Sequence, residues 1–331
     1  MSQRPWLVPA VLATVLLSGC DSYEVPSASW EYAVQGLHSG CLSSDGSLAV
    51  VGSIAHGGSL WRVDTQARAF DWNHRAGEQS TLVACGFSPD ARFALTADPQ
   101  TLVLWDTASG SALRFWSSPA EVLGLALTPA ANYALLGLAN FSAVLFDVKN
   151  GGIQRIFQHQ DRVRSVALSA DGQLALTGAE DRSARLWNLQ SGELLQRWDH
   201  DREVTVVALS DDGNRALSVA KYDKAVIWDT RTGAAVWELP LGASAVKRGE
   251  TFTSARFSSD GQQLLTGDNE RRVRLWSVTD KTLLASWQVP KRDPWKPTGA
   301  SILALAFTPE PQRYIALASN GYAHRLSLPA R

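Results

Sequence analysis

The sequence predicts an all-β fold made of seven copies of one four-stranded antiparallel unit. A short apolar segment with a central aromatic residue recurs with spacings of 44, 41, 41, 41 and 48 residues, at Trp61, Trp105, Phe146, Trp187, Trp228 and Trp276. A polar turn segment recurs at 43–46, 88–91, 128–131, 169–172, 210–213, 258–261 and 308–311. A repeat of about 40 residues is the length of one blade of a β-propeller, so these two series predict seven blades.

The stretch 162–198 is the clearest copy of the unit. Its Asp171-Gly172 pair stands between two apolar segments and predicts a hairpin turn, because Gly adopts positive φ without steric cost. A second turn is predicted at 180–182 and a third at 188–192. The segments between these turns alternate apolar and polar residues, as strands do. Four strands joined by tight turns indicate one antiparallel meander per unit.

These repeats resemble the WD-repeat family of β-propellers. The matching signature is an S-x-D-G turn, an L-x-T/S-G strand, an Asp, an R/V-L-W-D strand and a T-G turn. The resemblance covers nearly all of the chain after about residue 36, and it implies a seven-bladed propeller of four-stranded antiparallel blades over residues 28–331. It implies no particular activity, because propellers serve binding and chemistry alike.

The two ends of the chain are predicted to meet. Residues 27–34 resemble a fourth strand although they precede the first complete unit, and the last unit stops after its third strand, near Leu328. We therefore expect the N-terminal strand to pair with the C-terminal blade and close the ring, which leaves no open inner edge. The alternative is a frayed N-terminal arm.

Residues 1–19 are predicted to be a signal peptide outside the fold. Arg4 is their one charge, and the apolar stretch 7–17 is too short to span a bilayer. The segment 17–20 (LSGC) resembles the bacterial lipobox, which implies a lipoprotein whose Cys20 carries acyl chains such as palmitate on its sulfur and amine. Several acyl chains anchor a protein stably, so residues 20–27 are predicted to be a lipidated tether. The alternative is an ordinary secretory signal followed by a chance Cys.

A lipid anchor on Cys20 predicts that the body faces the periplasm of a bacterial cell envelope. Asp21 resembles the inner-membrane retention signal of enteric lipoproteins, but other bacteria read different positions, so the choice between inner and outer membrane stays open. Residues 21–27 reach only ~25 Å when fully extended, which keeps the propeller close to the lipid. The formal net charge is −1, and this balance does not favour nucleic acid, whose binders concentrate positive charge.

Two cysteines follow the anchor, and both fall in the first strand of their unit. In the aligned repeats Cys41 and Cys85 are offset by one residue, and a one-residue offset points strand side chains to opposite faces of the sheet. We therefore expect two buried free thiols, although an exported protein is permitted a disulfide.

Residues 159–187 hold side chains that could be mistaken for a nucleophilic triad. The resemblance to WD repeats implies instead a hydrogen-bonded structural tetrad formed by His159, Thr177, Asp181 and Trp187. A buried Trp N–H needs an acceptor, and a satisfied network explains all four residues without a substrate. Tyr222 stands in place of the Asp in the fifth unit and Glu270 in the sixth, so we expect those blades to be less tightly braced.

The sequence shows no other active-site pattern. None of the remaining histidines pairs with another His or Cys at metal-ligand spacing; these are His38, His56, His74 and His324. There is no H-E-x-x-H, no G-x-S-x-G and no Gly-rich phosphate loop before a helix. We therefore predict a chain that is not an enzyme and carries no metal or cofactor.

Two loops break the repeat, and both are predicted to emerge on the same face beside blade 6. They are residues 239–250 and 289–300, and their candidate partner-binding residues are Lys247, Arg248, Lys291, Arg292, Trp295 and Lys296. Loops on a rigid scaffold often carry binding residues, and a Trp among cations is a candidate contact. The alternative is a solvated decoration with Trp295 folded against a blade edge.

The predicted function is that of a monomeric, lipid-anchored scaffold that binds an envelope protein. One alternative is a relative of the quinoprotein-like lipoprotein propellers that help assemble outer-membrane proteins, because segments 106–116 and 188–198 look like their D-x-x-T-G-x-x-x-W pattern. A second alternative is a propeller enzyme, such as a quinone-dependent dehydrogenase or a hydrolase, for which metal ligands and vicinal cysteines are missing. The identity of the partner and the face that binds it stay open.

Overall fold

This computed structural model describes residues 23–240, 249–296 and 299–328. The strands in these ranges form seven four-stranded antiparallel sheets. The first strands of neighbouring blades contact one another around the ring, and the first strand of blade 7 contacts that of blade 1. The predicted seven-bladed propeller is therefore confirmed. The Cys20 anchor and the loop residues Lys247 and Arg248 lie outside the described residues.

The strands are given blade by blade, from the central channel outward. Blade 1 contains β2 (Leu37–Leu42), β3 (Leu48–Ser53), β4 (Gly57–Arg62) and β5 (Ala67–Asp71). Blade 2 contains β6 (Ala84–Phe87), β7 (Phe93–Ala97), β8 (Thr101–Asp106) and β9 (Ala112–Ser117). Blade 3 contains β10 (Val122–Leu127), β11 (Tyr133–Leu138), β12 (Ser142–Asp147) and β13 (Ile153–Gln158), with a short 3-10 helix at Pro129–Ala131.

The remaining blades follow the same order. Blade 4 contains β14 (Val163–Leu168), β15 (Leu174–Ala179), β16 (Ser183–Asn188) and β17 (Leu194–Asp199). Blade 5 contains β18 (Val204–Leu209), β19 (Arg215–Ala220), β20 (Ala225–Asp229) and β21 (Ala235–Glu238). Blade 6 contains β22 (Phe252–Phe257), β23 (Gln263–Asp268), β24 (Arg272–Ser277) and β25 (Thr282–Gln288). Blade 7 contains β26 (Ile302–Phe307), β27 (Arg313–Ala318), β28 (Tyr322–Ser327) and, as its outer strand, β1 (Ala28–Glu31).

The turn between the first and second strands of a blade is built by its own side chains. In blade 4 the Ser169 hydroxyl donates to Asp171 Oδ1 at 2.5 Å and accepts from the Leu174 N–H at 3.0 Å. Gly172 takes a φ of 69° at the end of this turn. The same Ser-to-Asp bond recurs at residues 43 and 45, 88 and 90, 210 and 212, and 258 and 260. This local chemistry explains why the turn is recognisable in the sequence.

The outer aromatic residue of most blades joins that blade to the next. The indole N–H groups of Trp72, Trp116, Trp198 and Trp287 donate to the backbone carbonyls of Gly110, Val148, Gly233 and Ser327 at 3.1, 3.1, 3.0 and 3.2 Å. Each acceptor lies at or beside the turn before the outer strand of the following blade, or at the end of β28 in blade 7. Because a buried indole N–H requires a partner, these bonds fix the angle between adjacent sheets.

The N-terminal strand closes the ring, as the sequence predicts. β1 pairs antiparallel with β28, with Trp30 opposite Ala323. Trp30 is 7% exposed, and its N–H donates to the Tyr32 hydroxyl at 2.8 Å. The Tyr32 ring stacks on Trp61 of blade 1 with centroids 4.5 Å apart. The closing segment therefore binds both neighbouring blades, and the alternative of a frayed arm is wrong.

The prediction of two free thiols is also wrong, because Cys41 and Cys85 form a disulfide with a Cα–Cα distance of 5.9 Å. Gly40 faces blade 7, so Cys41 points to the other side of its sheet, toward blade 2. Gly86 faces blade 3, so Cys85 points back toward blade 1. Neighbouring blades of a propeller pack front to back, so side chains on opposite sheet faces are the ones that meet.

We expect the double variant Cys41→Ser/Cys85→Ser to unfold with a free energy lower by about 2–4 kcal/mol, because the disulfide closes a loop with a sequence separation of 44 residues. Urea unfolding of the oxidised protein and the variant measures this difference. Alkylation of the unfolded, unreduced protein is the control. If both cysteines take up the reagent, the disulfide is absent and the expectation fails.

Among the described residues, no helix has the length and apolar character needed to cross a membrane.

Candidate functional site

The ring has two faces, and they differ in what they carry. We call upper the face that holds the turns between second and third strands and the connections from one blade to the next. Those connections include residues 32–36, 72–83, 118–121, 159–162, 200–203, 289–296 and 299–301. The lower face holds the turns between the first and second strands of a blade and those between the third and fourth strands. His159, Thr177 and Asp181 of the tetrad lie toward the upper face, as do the described candidate loop residues Lys291, Arg292, Trp295 and Lys296.

The four tetrad side chains of blade 4 form one hydrogen-bonded chain. His159 Nδ1 lies 3.0 Å from Asp181 Oδ2, and His159 Nε2 lies 2.8 Å from Thr177 Oγ1. The Trp187 indole donates to the same Thr177 oxygen at 2.9 Å. Thr177 is fully buried. Because the Thr177 hydroxyl is buried and hydrogen-bonded to both His159 and Trp187, it cannot reach a substrate. The four side chains therefore brace the blade and do not form a nucleophilic triad.

Asp181 is the centre of charge in this network. Its carboxylate also accepts from the Arg185 guanidinium at 2.9 Å and from the Ser183 hydroxyl at 2.6 Å. Burial opposes ionisation, but the hydrogen bonds from His159 and Ser183 outweigh it and hold the pKa of Asp181 well below its usual range. Burial lowers the pKa of His159. The network therefore holds an ionised carboxylate beside a neutral imidazole.

Blade 2 contains a second network that was not predicted from the sequence. His74 Nε2 lies 2.8 Å from Thr96 Oγ1, Trp105 donates to that oxygen at 2.8 Å, and His74 Nδ1 lies 3.2 Å from Asp98 Oδ2. The connection before this blade is longer, and Asp98 follows Thr96 by two residues instead of four. A usable signal existed, because each of the three imidazoles follows an outer aromatic residue by two positions, at 72 and 74, 157 and 159, and 198 and 200.

Blades 5 and 6 keep parts of the network. In blade 5 the Ser218 hydroxyl binds His200 and Trp228 at 2.8 Å each, while Tyr222 is exposed and stands outside the network. In blade 6 Trp276 donates to Thr266 at 2.8 Å. The buried carboxylate there is not Glu270, which is exposed.

That buried carboxylate is Asp268, which binds Arg274 at 3.1 Å. Burial raises the pKa of Asp268. Arg272 is ion-paired with the buried Glu250 of the preceding connection. Blade 6 therefore replaces the imidazole chain with buried ion pairs.

His324 is a fully buried imidazole in blade 7. Its Nδ1 lies 2.7 Å from the Ser29 hydroxyl of the closing strand, and its Nε2 has no hydrogen-bond partner among the described residues. Burial lowers the pKa of His324 to about 4. The imidazole is therefore neutral near pH 7, at the junction of the two chain ends.

We expect acid to weaken the fold between about pH 6.5 and pH 4. The pKa of His324 is lower in the folded protein than in the unfolded chain, so the unfolded chain takes up the proton first as pH falls. The His324 contribution is complete above about pH 6.5, and its loss by pH 4 amounts to about 3 kcal/mol. Urea unfolding at pH 7, 5.5 and 4.5 measures this, with His324→Gln as the variant. An equally steep pH dependence in that variant contradicts the assignment to His324.

Four turns on the upper face hold large side chains in a strained backbone conformation. In the corresponding turns of blades 3 to 6 the φ angles are 70° at Phe141, 67° at Arg182, 55° at Tyr222 and 67° at Arg271, with Tyr222 one position earlier in its turn than the other three. Phe141 and Tyr222 are each 46% exposed, and Arg182 is exposed. Arg271 is half-buried and donates to the Val289 carbonyl at 2.7 Å. We call Phe141, Arg182 and Tyr222 the tip surface.

The predicted binding loop between blades 6 and 7 divides into two parts. Arg292 is tied down, because its guanidinium donates to Glu31 and to the Ala33 carbonyl and lies 5.1 Å from the centre of the Tyr322 ring. Trp295 is 94% exposed, so the alternative in which it folds against a blade edge is wrong. Lys296 is exposed, and its Nζ lies 3.5 Å from Asp293 Oδ2. Lys291 is half-buried.

A central cavity of about 500 Å³ runs along the axis of the ring. The first strands of all seven blades line it, and the Cys41–Cys85 disulfide lies in its wall. Within the described part of the chain, no three His, Cys, Asp or Glu side chains are grouped as metal ligands.

Comparison with known proteins supports the repeat assignment in two segments. A search of curated proteins gives no match. Residues 151–188, which span the end of blade 3 and most of blade 4, and residues 246–277, which include most of blade 6, match the family described as WD domain, G-beta repeat. The chain is therefore a seven-bladed propeller that is similar to WD-repeat proteins in these two segments.

Proposed function

We propose that this chain is a lipid-anchored propeller of the bacterial cell envelope that faces the periplasm and binds a protein partner through its upper face. In this proposal it catalyses no reaction. The observation that carries the proposal is the tip surface, formed by Phe141, Arg182 and Tyr222 on three consecutive blades. The similarity to WD repeats agrees with a role as an interaction scaffold.

The backbone conformation of the tip surface argues for a binding role. A left-handed φ costs a residue with a side chain roughly 1–2 kcal/mol, and Gly or Asn would avoid most of that cost. Strain of this kind concentrates at functional positions. Aromatic residues and Arg are also the types enriched in the energetic centres of protein interfaces. Large side chains kept at strained, exposed tips therefore fit a protein-binding surface.

The internal networks support a role without catalysis. The imidazoles of His74, His159 and His200 each bind a buried hydroxyl group inside a blade, so these ring nitrogens point into the fold and away from solvent. Burial also lowers the pKa of each of them. These three imidazoles thus stabilise the blades, and the exposed tips are left for recognition.

The membrane anchor rests on the sequence. The LSGC segment ending at Cys20 and the short apolar stretch before it support lipidation and export. The described chain begins three residues later, at Tyr23. Cys20→Ser is expected to abolish acyl incorporation and to move the protein out of the membrane fraction of cells.

Site-specific crosslinking tests the partner-binding role. A photoreactive amino acid is placed at position 141 or 222 of the full chain in cells, and the matched control is placed at Tyr133, an exposed aromatic residue at the lower end of β11. We expect the same protein adduct from positions 141 and 222, and none from position 133. The adduct formed at 222 is expected to weaken when Phe141 is changed to Ala. Equal labelling from both faces, or none from either tip, contradicts the proposal.

A further inference from the structure

The chain enters the propeller at the edge of blade 6. The Glu24 N–H donates to the Ser286 carbonyl at 2.8 Å, and the Glu24 carbonyl accepts from the Gln288 N–H at 3.0 Å. Tyr23 lies under the guanidinium of Arg272, 5.4 Å from its ring centre. Residues 23–24 are therefore held against the outer strand of this blade, close to its upper end.

The connection that carries Trp295 starts at the same place. It follows Gln288, the residue that binds Glu24, and its far end returns to blade 6 through a bridge between Ala300 and Glu270. Arg292 holds the connection against the closing strand by its bonds to Glu31. The exposed Trp295 is thus presented from an anchored loop at the rim between blades 6 and 7.

The chain before Tyr23 limits how far this rim can lie from an anchor. Cys20 precedes Tyr23 by three residues, and three residues span at most about 11 Å. Acyl chains on Cys20 would therefore enter a bilayer beside blade 6. The described residues nearest to Cys20 along the chain, Tyr23 and Glu24, both contact blade 6.

We propose that the rim formed by Lys291, Trp295 and Lys296 is a second membrane contact, which binds the interface of a bilayer containing anionic lipid. This inference rests on the proposed lipid anchor. Trp is enriched at the level of lipid headgroups because its ring is apolar and its N–H is polar. Lys side chains near a membrane surface are attracted by anionic lipids. The adjacent Pro294 restricts the backbone, so the indole is presented with less loss of conformational freedom.

Two contacts define an orientation that one flexible tether would not. The rim of blades 6 and 7 faces the lipid, and blade 3 lies across the ring from it. The disc then stands on its edge, and Phe141 on blade 3 lies on the side of the ring away from the membrane. A partner in the periplasm can reach the tip surface while both membrane contacts are made.

Fluorescence quenching by brominated lipids tests this orientation. Lipidated full-length protein is purified from membranes and reconstituted into phosphatidylcholine vesicles with and without phosphatidylglycerol, each prepared with and without brominated acyl chains. Among the described tryptophans only Trp295 is exposed, so we expect the bromine-dependent quenching to be at least halved in Trp295→Ala. In wild type the quenching is expected to rise with phosphatidylglycerol, and Lys291→Ala/Lys296→Ala is expected to remove that rise.

The control places an indole on the other face. Tyr133→Trp in the Trp295→Ala background introduces an exposed Trp at the lower end of blade 3, and it is expected to stay unquenched. Co-flotation of the protein with vesicles is measured on the same samples. Flotation with quenching that Trp295→Ala does not change overturns this inference and leaves the proposed anchor standing. Absence of flotation in wild type overturns the anchor itself. A photoreactive amino acid placed at position 295 in cells completes the test, and a protein adduct there without lipid quenching overturns the membrane contact and reassigns the rim to a protein partner.

Discussion

Replacing Trp30 by Ala is expected to lower the free energy of unfolding by about 3–5 kcal/mol, the range found for a buried Trp or Phe. Trp30 is 7% exposed and lies in the strand that closes the ring. The substitution removes the indole that binds the Tyr32 hydroxyl, and Tyr32 in turn stacks on Trp61 of blade 1. One side chain therefore supports the contact between the last blade and the first.

Thermal and urea unfolding of Trp30→Ala measure this loss. Trp295→Ala is the matched control, because it deletes the same side chain at a position that is 94% exposed. Surface substitutions of this kind usually change the free energy of unfolding by less than about 0.5 kcal/mol. Equal effects of the two variants would show that β1 does not contribute to the closed ring.

Replacing Asp181 by Ala is expected to cost about 3–5 kcal/mol, because it leaves the Arg185 guanidinium buried without its carboxylate. The same change removes the partner of His159 Nδ1 and the acceptor for the Ser183 hydroxyl. The expected loss is therefore far larger than for an exposed acidic residue. Urea unfolding at pH 7 measures it.

The pH dependence of this variant separates the role of the charge from that of the side-chain volume. The pKa of Asp181 is lower in the folded protein than in the unfolded chain, so its contribution is complete above the unfolded value of about 4 and is lost as pH falls further. We expect the gap between wild type and Asp181→Ala to narrow below about pH 4. Asp199→Ala, which removes a solvent-exposed ion pair with Arg197, is the control and is expected to cost less than about 1 kcal/mol. A gap that stays constant down to pH 2 would assign the loss to packing.

Much of this fold could be predicted from the sequence because its signals are local. The Ser169–Asp171 turn forms its hydrogen bonds within six residues. The tetrad of blade 4 spans fewer than 30 residues, and a standard turn separates Thr177 from Asp181. Repetition of one unit then makes each local signal visible several times.

The network around His74 could not be predicted from the residue spacing of the blade 4 tetrad. The longer connection before blade 2 and the two-residue step from Thr96 to Asp98 move its members out of the expected spacing. The backbone nevertheless brings the imidazole 2.8 Å from Thr96. Spacing along the chain describes such a network only while the connections keep a constant length.

By itself, the sequence determined the number of blades and the place of each turn, because both depend on hydrogen bonds or apolar alternation within one unit. It also determined the strand that closes the ring, because residues 27–34 resemble the fourth strand that the last unit lacks. The tertiary structure decided which surfaces meet. Cys41 and Cys85 point to opposite sheet faces, and only the packing of one blade behind the next turns those faces toward each other. The sequence predicts that Arg292 is a loop cation available for binding, but in the closed ring its guanidinium forms an ion pair with Glu31. Contacts between units depend on the angle between neighbouring sheets, and the sequence of a single repeat does not specify that angle.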